Sequence, residues 1–254
     1  MSTIVISLIA FASIFSGALL GMFLRTLLPE HHLVADSREV MKLGAGMIAT
    51  LAALVLGLLI ASAKGTFDTM SSGLRGTGSK IILLDRTMAQ YGPETREARD
   101  MLRRSVAAAI ARIWSSDKNV VAPEKVGRSG SGIEDLDEKL RQLSPRNDDQ
   151  RMLQTRAIRI VGEIAEARWL LTEQVGQSSL PMPFLVLLVC WLGIIFLSFG
   201  LLSSPNATVI VVLFVCAFSA ASSLFLILEL DQPYGGLIKI SGASLLNALA
   251  HLGK

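Results

Sequence analysis

Four apolar stretches of about 20 residues dominate the pattern of hydrophobic and polar positions along the chain. Each is about as long as a helix must be to cross a hydrocarbon core of about 30 Å. None contains a charged residue until Glu229, near the end of the fourth. The pattern therefore predicts four transmembrane helices, at residues 4–24, 43–63, 182–202 and 207–230.

The segment between the second and third stretches has a different character. Residues 64–181 hold 19 of the 24 lysines and arginines and 16 of the 21 acidic residues. Apolar positions recur there at helical spacing from Met101 to Ile113, and again after Asn147, a suitable N-cap residue. Residues near 119–133 are rich in Gly and lack periodicity, which predicts a flexible loop. A helical, water-exposed insert is therefore expected at 64–181, and a separate C-terminal segment at 231–254.

Composition supports a membrane protein. The chain is 51% hydrophobic and 18% charged, with a mean hydropathy of +0.52, outside the usual balance of a soluble domain. Its two cysteines, Cys190 and Cys216, fall inside predicted spans, so a disulfide framework or zinc site is not expected. The positive charge of the insert and the lack of disulfides favour a cytoplasmic insert in a multi-pass membrane protein.

The second apolar stretch has two unlike faces. At 100° per residue, one side gathers small residues within about 40° and ends in a cation. These residues are Gly46, Thr50, Ala53, Gly57 and Lys64. The opposite side carries large apolar residues such as Leu51, Val55 and Leu58. Two interpretations remain open: the small side packs closely against another helix, or it lines a pore in which Lys64 forms a positive mouth.

Other spans carry polar or small residues for which helix packing is the first interpretation. Ser13, Gly17 and Gly21 follow each other at intervals of four in the first span. Serines in the fourth span are expected to bond to nearby backbone carbonyls. Glu229 needs a partner, because an ionisable group near the hydrocarbon edge is costly to leave unpaired. Glu229 and Asp231 are therefore predicted to anchor helix ends.

Two stretches look like ligand-binding motifs, but each lacks a feature that ligand binding requires. The stretch SSGLRGTGSK, residues 71–80, is close to a phosphate-binding loop, but no strand precedes it and its Ser and Lys are exchanged. Its glycines instead predict a helix that bends or is closely approached. The stretch LPEHHLVADSREV holds Glu30, His31 and His32, but adjacent histidines point apart, so Asp36 or Ser37 is expected to cap a helix and no metal is expected.

Neither a cofactor fingerprint nor a nucleophile and base pair occurs in the insert, so the sequence predicts no enzyme and no cofactor. Nucleic acid is not an expected partner either. Membrane lipid, small anions and further copies of the chain are the expected partners.

Two stretches of the chain are similar to a known family. They are LLPEHHLVADSREVMKLGAGMIATLAALVLGLLIASAKGTFD and LELDQPYGGLIKIS, and the order of two spans, helical insert and two spans completes the likeness. The chain resembles the bacterial bestrophin-like family and, more remotely, bestrophins, which are pentameric chloride channels lined chiefly by the second span. The resemblance implies an all-α membrane fold and gives the pore-lining role to the face that ends at Lys64.

The resemblance is incomplete after the last span. Pro233, Tyr234 and Gly235 match a Pro-aromatic-Gly turn of bestrophins, but Gly236 and Leu237 stand where bestrophins have an acidic cluster that helps to hold calcium. Calcium gating is therefore not implied. Aromatic rings of the bestrophin pore also have no counterpart among the small residues of the second span.

These observations and the resemblance predict an all-α, bestrophin-like protein of the bacterial inner membrane that assembles as a cyclic homo-oligomer, a pentamer by analogy, and conducts small anions such as chloride. The competing hypothesis is a membrane-anchored interaction protein that does not conduct, in which the small faces only pack together.

Overall fold

The computed structural model describes residues 2–28, 35–114, 131–176, 182–233 and 235–253. Within these ranges the regular secondary structure is entirely helical, which confirms the predicted all-α class. Four of the helices are long and apolar enough to cross a membrane, as predicted.

The helices are labelled here in chain order. They are α1 (Thr3–Leu27), α2 (Ala35–Tyr91), α3 (Arg96–Trp114), α4 (Ser131–Arg141), α5 (Asp148–Gly176), α6 (Met182–Leu202), α7 (Ala207–Leu230) and α8 (Ala243–His251). A short 3₁₀ turn at Pro93–Thr95 precedes α3. Helix α2 extends well beyond the predicted second span: it has 57 residues and includes the glycine-rich stretch that follows.

The chain divides into two compact units. The membrane unit comprises Met1–Thr66 and Ser179–Asp231, and the polar unit comprises Phe67–Ser178 and Gln232–Lys254. Helix α2 contributes residues to both, because the division falls at Thr66 within it.

In the membrane unit, α1 packs closely against α6 through glycines. A Cβ atom built on Gly17 would lie 2.9 Å from the carbonyl oxygen of Gly193, and one built on Gly21 would overlap the carbonyl oxygen of Leu197. Gly200 of α6 returns the contact, since its Cβ would overlap the carbonyl oxygen of Ala18. Such close backbone approach is what small residues allow in lipid. The packing interpretation of the first span is thus confirmed for its two glycines.

Aromatic rings join α1 to α7 in the same unit. The rings of Phe11 and Phe214 lie 5.3 Å apart at 85°, and those of Phe15 and Phe214 lie 5.5 Å apart at 88°. Edge-to-face pairs of this kind are favourable because the positive edge of one ring meets the negative face of the other. Helix α1 therefore has glycines towards α6 and aromatic rings towards α7.

The polar unit has a continuous apolar core. Apolar side chains from α2, α3, α4, α5 and α8 share it, among them Leu84, Leu102, Leu136, Ile160 and Leu245. The Oδ1 atom of Asn147 accepts a hydrogen bond of 2.8 Å from the amide of Gln150, which confirms Asn147 as the N-cap of α5. The helical character predicted for the described part of the insert is confirmed as well.

An ion pair between α2 and α3 lies beside that core. Asp85 accepts two hydrogen bonds, of 2.7 and 2.8 Å, from Arg99, and its Oδ2 atom lies 3.3 Å from the amide nitrogen of Gly253. The hydrogen bonds to Asp85 raise the pKa of Arg99, so the guanidinium is charged at every working pH. One carboxylate thereby joins α2, α3 and the end of the chain.

The stretch at residues 71–80 is helical throughout, so it does not form the turn that a phosphate loop requires. Gly78 is closely approached, as expected, because a Cβ there would lie 3.0 Å from the carbonyl oxygen of Ser244 in α8. Gly76 is not closely approached, since no described atom beyond the helix's own neighbouring backbone lies within 4 Å of its built Cβ.

Two expected helix boundaries differ from the structure. Helix α2 begins at Ala35 and includes Asp36 and Ser37, so neither residue caps it from outside. Asp36 instead lies in the first turn, where a carboxylate interacts favourably with the helix dipole. Helix α4 begins at Ser131, inside the loop expected near 119–133. Residues 119–130 lie outside the described part of the chain.

Candidate functional site

The membrane part of α2 presents three different faces. Its buried positions are Ala45, Ala52, Leu59 and Ala63. About 100° away lies the small face, which we define as Gly46, Thr50, Ala53 and Gly57. A further 100° or so away lies an exposed face of large apolar residues, namely Val40, Leu43, Met47, Leu51, Leu54 and Leu58. The structure thus adds a third, buried face to the two faces that the sequence predicted.

The small face is open in the single chain. All four of its residues are exposed. Cβ atoms built on Gly46 and Gly57 have no described atom within 4 Å, apart from the helix's own neighbouring backbone. These two glycines therefore differ from those of α1, whose Cβ positions are taken up by another helix of the same chain.

Thr50 directs its hydroxyl along its own helix. Its Oγ1 atom donates a 2.9 Å hydrogen bond to the carbonyl oxygen of Gly46, one turn earlier. The hydroxyl proton is thus used within the helix, and the oxygen lone pairs are what the side chain presents outward. An anion is bound by donors, so this conformation of Thr50 offers an anion little.

Lys64 lies two residues before the end of the first segment of the membrane unit. It is on the same side of α2 as the small face, in line with Gly57 and Gly46, and its side chain is exposed. The described structure therefore gives one exposed surface of α2 a run of small residues that ends in a cation.

Glu229 is almost fully buried near the end of α7, with 2% of its surface exposed. Its Oε1 atom accepts a 2.6 Å hydrogen bond from the hydroxyl of Thr3, in the first turn of α1. Burial of a carboxylate is costly without such a donor. Thr3 is a residue that the sequence analysis missed, because its polarity is ordinary at a helix start and nothing local marks it as the partner of a residue 226 positions away.

Asp231 occupies a different position from Glu229. It is the C-cap residue of α7, it is half-buried, and its amide donates a 3.1 Å hydrogen bond to the carbonyl oxygen of Ile227. Its role at the end of α7 therefore includes a backbone contact, whereas Glu229 connects α7 to α1 through its side chain.

Other polar side chains of the spans bond to backbone carbonyl oxygens. Ser222 and Ser223 donate to the carbonyl oxygens of Phe218 and Ser219, as expected. Arg25 lies 3.4 Å from the carbonyl oxygen of Leu202, at the end of α6. The histidine-containing stretch at 30–32 falls outside the described residues, and the part of the chain that the structure describes holds no group of three metal-binding side chains.

Comparison with known proteins places these features in context. The sequence profile described as the Bestrophin-like domain matches residues 12–245. Crystal structures of a bacterial bestrophin homolog from Klebsiella pneumoniae, each with a single substitution, are similar in fold. One has a TM-score of 0.64 at 14% identity and covers 94% of this chain and 97% of its own. Another has a TM-score of 0.63 at 13% identity and covers 99% and 97%. None of the curated proteins compared with this chain matches it.

Proposed function

This chain belongs to the bestrophin-like family, and we propose that it is a membrane channel for small anions such as chloride. The channel is a cyclic homo-oligomer, a pentamer by analogy with bestrophins, in which the small face of each α2 surrounds the axis. The observation that carries the proposal is that this face is exposed along its whole length and consists only of small side chains.

The contrast between the two exposed faces of α2 supports an axis on the small side. Leu54 and Leu58, on the large apolar face, are 67% and 65% exposed and suit lipid or a neighbouring copy. Gly46 and Gly57 offer little apolar surface to either. Around an axis, however, their lack of side chains leaves a path between helices wide enough for an ion.

Anion preference in this proposal rests on charge near the mouth. Lys64 adds one cation per copy at one end of the path, and several such cations around an axis raise the local anion concentration. The hydroxyl of Thr50 contributes little, since its proton is bonded to Gly46. The channel is therefore expected to attract anions by its positive end and to pass them through an uncharged interior.

Glu229 and Asp231 are proposed to hold the ends of the helices around this path. The 2.6 Å bond between Glu229 and Thr3 supports that role for Glu229, because it ties α7 to the start of α1. We further propose that the protein lies in the bacterial inner membrane with its polar unit in the cytoplasm, and that it has no catalytic activity.

The test is chloride efflux from liposomes that contain the purified protein. Wild-type protein should release chloride faster than protein-free liposomes. Lys64→Glu should reduce the chloride-to-cation permeability ratio, because the mouth then attracts cations. Lys239→Glu provides a matched control: it makes the same change of charge at an exposed residue of the polar unit, outside α2, and should leave the ratio unchanged.

Two results would contradict the proposal. Absence of efflux from a folded, symmetric oligomer would favour the alternative, a membrane-anchored interaction protein that does not conduct. Efflux with the same permeability ratio in wild type and Lys64→Glu would support a channel but would show that Lys64 does not set its anion preference.

A further inference from the structure

The polar unit contains a cavity of about 390 Å³ that the proposed channel does not use. It lies among α3, α4 and α5, with α2 and α8 completing its walls. Its volume is within the range of about 300–1,000 Å³ typical of small-molecule sites. Hydrocarbon forms most of the wall, including the side chains of Leu102, Val106, Leu136, Ile164 and Leu171.

The charged groups that line the cavity are all cations. Arg104 and Arg112 of α3 and Arg168 of α5 line it, and no carboxylate does so among the described residues. Glu134 lies beside Arg168 and fixes its guanidinium through an ion pair of 2.5 Å. Glu134 compensates the charge of Arg168, so the cavity combines an apolar interior with a positive edge to which Arg104 and Arg112 contribute.

The arginines of α3 occupy one edge of the cavity. Arg104, Ala108 and Arg112 are four residues apart, so they follow one another along the same line of the helix. Arg104 and Ala108 are exposed and Arg112 is half-buried, whereas Val106 and Leu102 behind them are buried. Solvent exposure thus decreases from the arginines of α3 towards the core. A ligand that matches this change has its charged end near the exposed side of α3 and its apolar end towards the core.

We propose that this cavity binds a single-chain fatty carboxylate. Hydrocarbon favours the apolar wall because its transfer from water is favourable, and a carboxylate favours guanidinium because the two can form paired, charge-assisted hydrogen bonds. A volume near the lower end of the usual range suits one chain better than the two chains of a phospholipid. This proposal does not depend on ion conduction.

The first experiment maps where such a ligand binds. Full-length protein in lipid nanodiscs is incubated with tetradecanoate that carries a photoreactive diazirine near its tail, irradiated and examined by peptide mass spectrometry. Labelling of α3, α4 or α5 is expected, in addition to any labelling of the transmembrane helices from the bilayer. Labelling confined to the transmembrane helices would overturn the proposal.

A pair of substitutions on α3 makes the mapping specific. Ala109→Phe fills the cavity, because Ala109 lines it, and should remove the label from the polar unit while the label on the transmembrane helices remains. Ala107→Phe adds the same ring on the exposed side of α3, outside the lining residues, and should leave the label in place. Equal labelling of both variants would mean that the ligand binds elsewhere and would overturn the assignment.

Competition with unlabelled compounds tests both ends of the ligand in the wild-type protein. If the tail is buried, each pair of added methylenes between decanoate and tetradecanoate should tighten binding about tenfold. Tetradecyltrimethylammonium should compete poorly, because its charge is opposite. Equal competition by the cation would overturn the selection for an anion.

Two variants test the role of Arg112. Arg112→Gln should weaken binding of tetradecanoate about tenfold. Arg103→Gln changes an exposed arginine outside the lining and should leave the binding unchanged.

Discussion

Helices α1 and α2 carry the same kind of sequence signal and use it differently. In α1, Gly17 and Gly21 are four residues apart, and the backbone of α6 occupies the space beside them. In α2, Gly46 and Gly57 are on one face together with Thr50 and Ala53, and no described atom beyond the helix's own neighbouring backbone lies within 4 Å of a Cβ built on either glycine. Small residues at intervals of three or four thus mark a surface that allows close approach, but they do not show what approaches it.

The difference is explained by the partner helix. Helix α6 has glycines of its own, and Gly193 and Gly200 allow its backbone to reach α1. The exposed small face of α2 has no such match within the described chain, so its surroundings lie outside that chain and are other copies, lipid or water. The α1 glycines therefore serve folding, whereas the role of the α2 glycines in assembly or conduction is our proposal.

The largest expected effect is on folding, from substitutions that test this comparison directly. Gly21→Ala should lower the free energy of unfolding by about 1–3 kcal/mol, because the added Cβ overlaps the backbone of α6. Gly46→Ala should instead keep or raise stability, by up to about 1 kcal/mol, because alanine favours the helix and no described residue obstructs the added methyl. Equilibrium unfolding of the detergent-solubilised protein measures both.

The result for Gly46→Ala also separates the two interpretations of the small face. If small faces of neighbouring copies pack together, the added methyl should weaken the oligomer, as seen by mass photometry or cross-linking. If they line a water-filled path, the oligomer should persist. Destabilisation by both substitutions to the same degree would remove the distinction between α1 and α2 that is drawn here.

A second prediction concerns chloride efflux and not stability. Gly57→Phe should block chloride efflux, since a ring on the small face narrows the proposed path, and it should leave the fold intact because no described atom is within reach of the first added carbon. Leu58→Phe is the matched control. Leu58 is 65% exposed on the large apolar face, so the same ring there should leave efflux unchanged.

Much of the fold follows from the sequence because its signals are local. Each transmembrane span is a run of apolar residues, and the N-cap Asn147 stands immediately before the helix that it caps. The continuity of α2 through Gly73, Gly76 and Gly78 was harder to foresee, since glycine disfavours a helix by about 1 kcal/mol. Packing overrides this cost at Gly78, where α8 lies against the backbone of α2.

Long-range partners were not predictable in the same way. Glu229 was marked by its cost in an apolar span, but its partner Thr3 has no such mark. The cavity of the polar unit likewise depends on α2, α3, α4, α5 and α8 meeting, and its arginines look like ordinary surface residues in the sequence. The small face could be recognised from its spacing, whereas the absence of a described partner for its glycines required coordinates.

The smallest expected effect is at Thr50, and it separates two origins of anion preference. Thr50→Ala removes a hydroxyl whose proton is already bonded to the carbonyl oxygen of Gly46. If selectivity comes from the charge of Lys64, the chloride-to-cation permeability ratio of Thr50→Ala should equal that of wild type, while Lys64→Glu lowers it. Thr50→Val, which keeps the shape without the hydroxyl, controls for the change in width. A marked loss of selectivity in both Thr50 variants would show instead that the hydroxyl turns away from Gly46 to donate to the passing anion, because only a released proton can act as a donor to chloride.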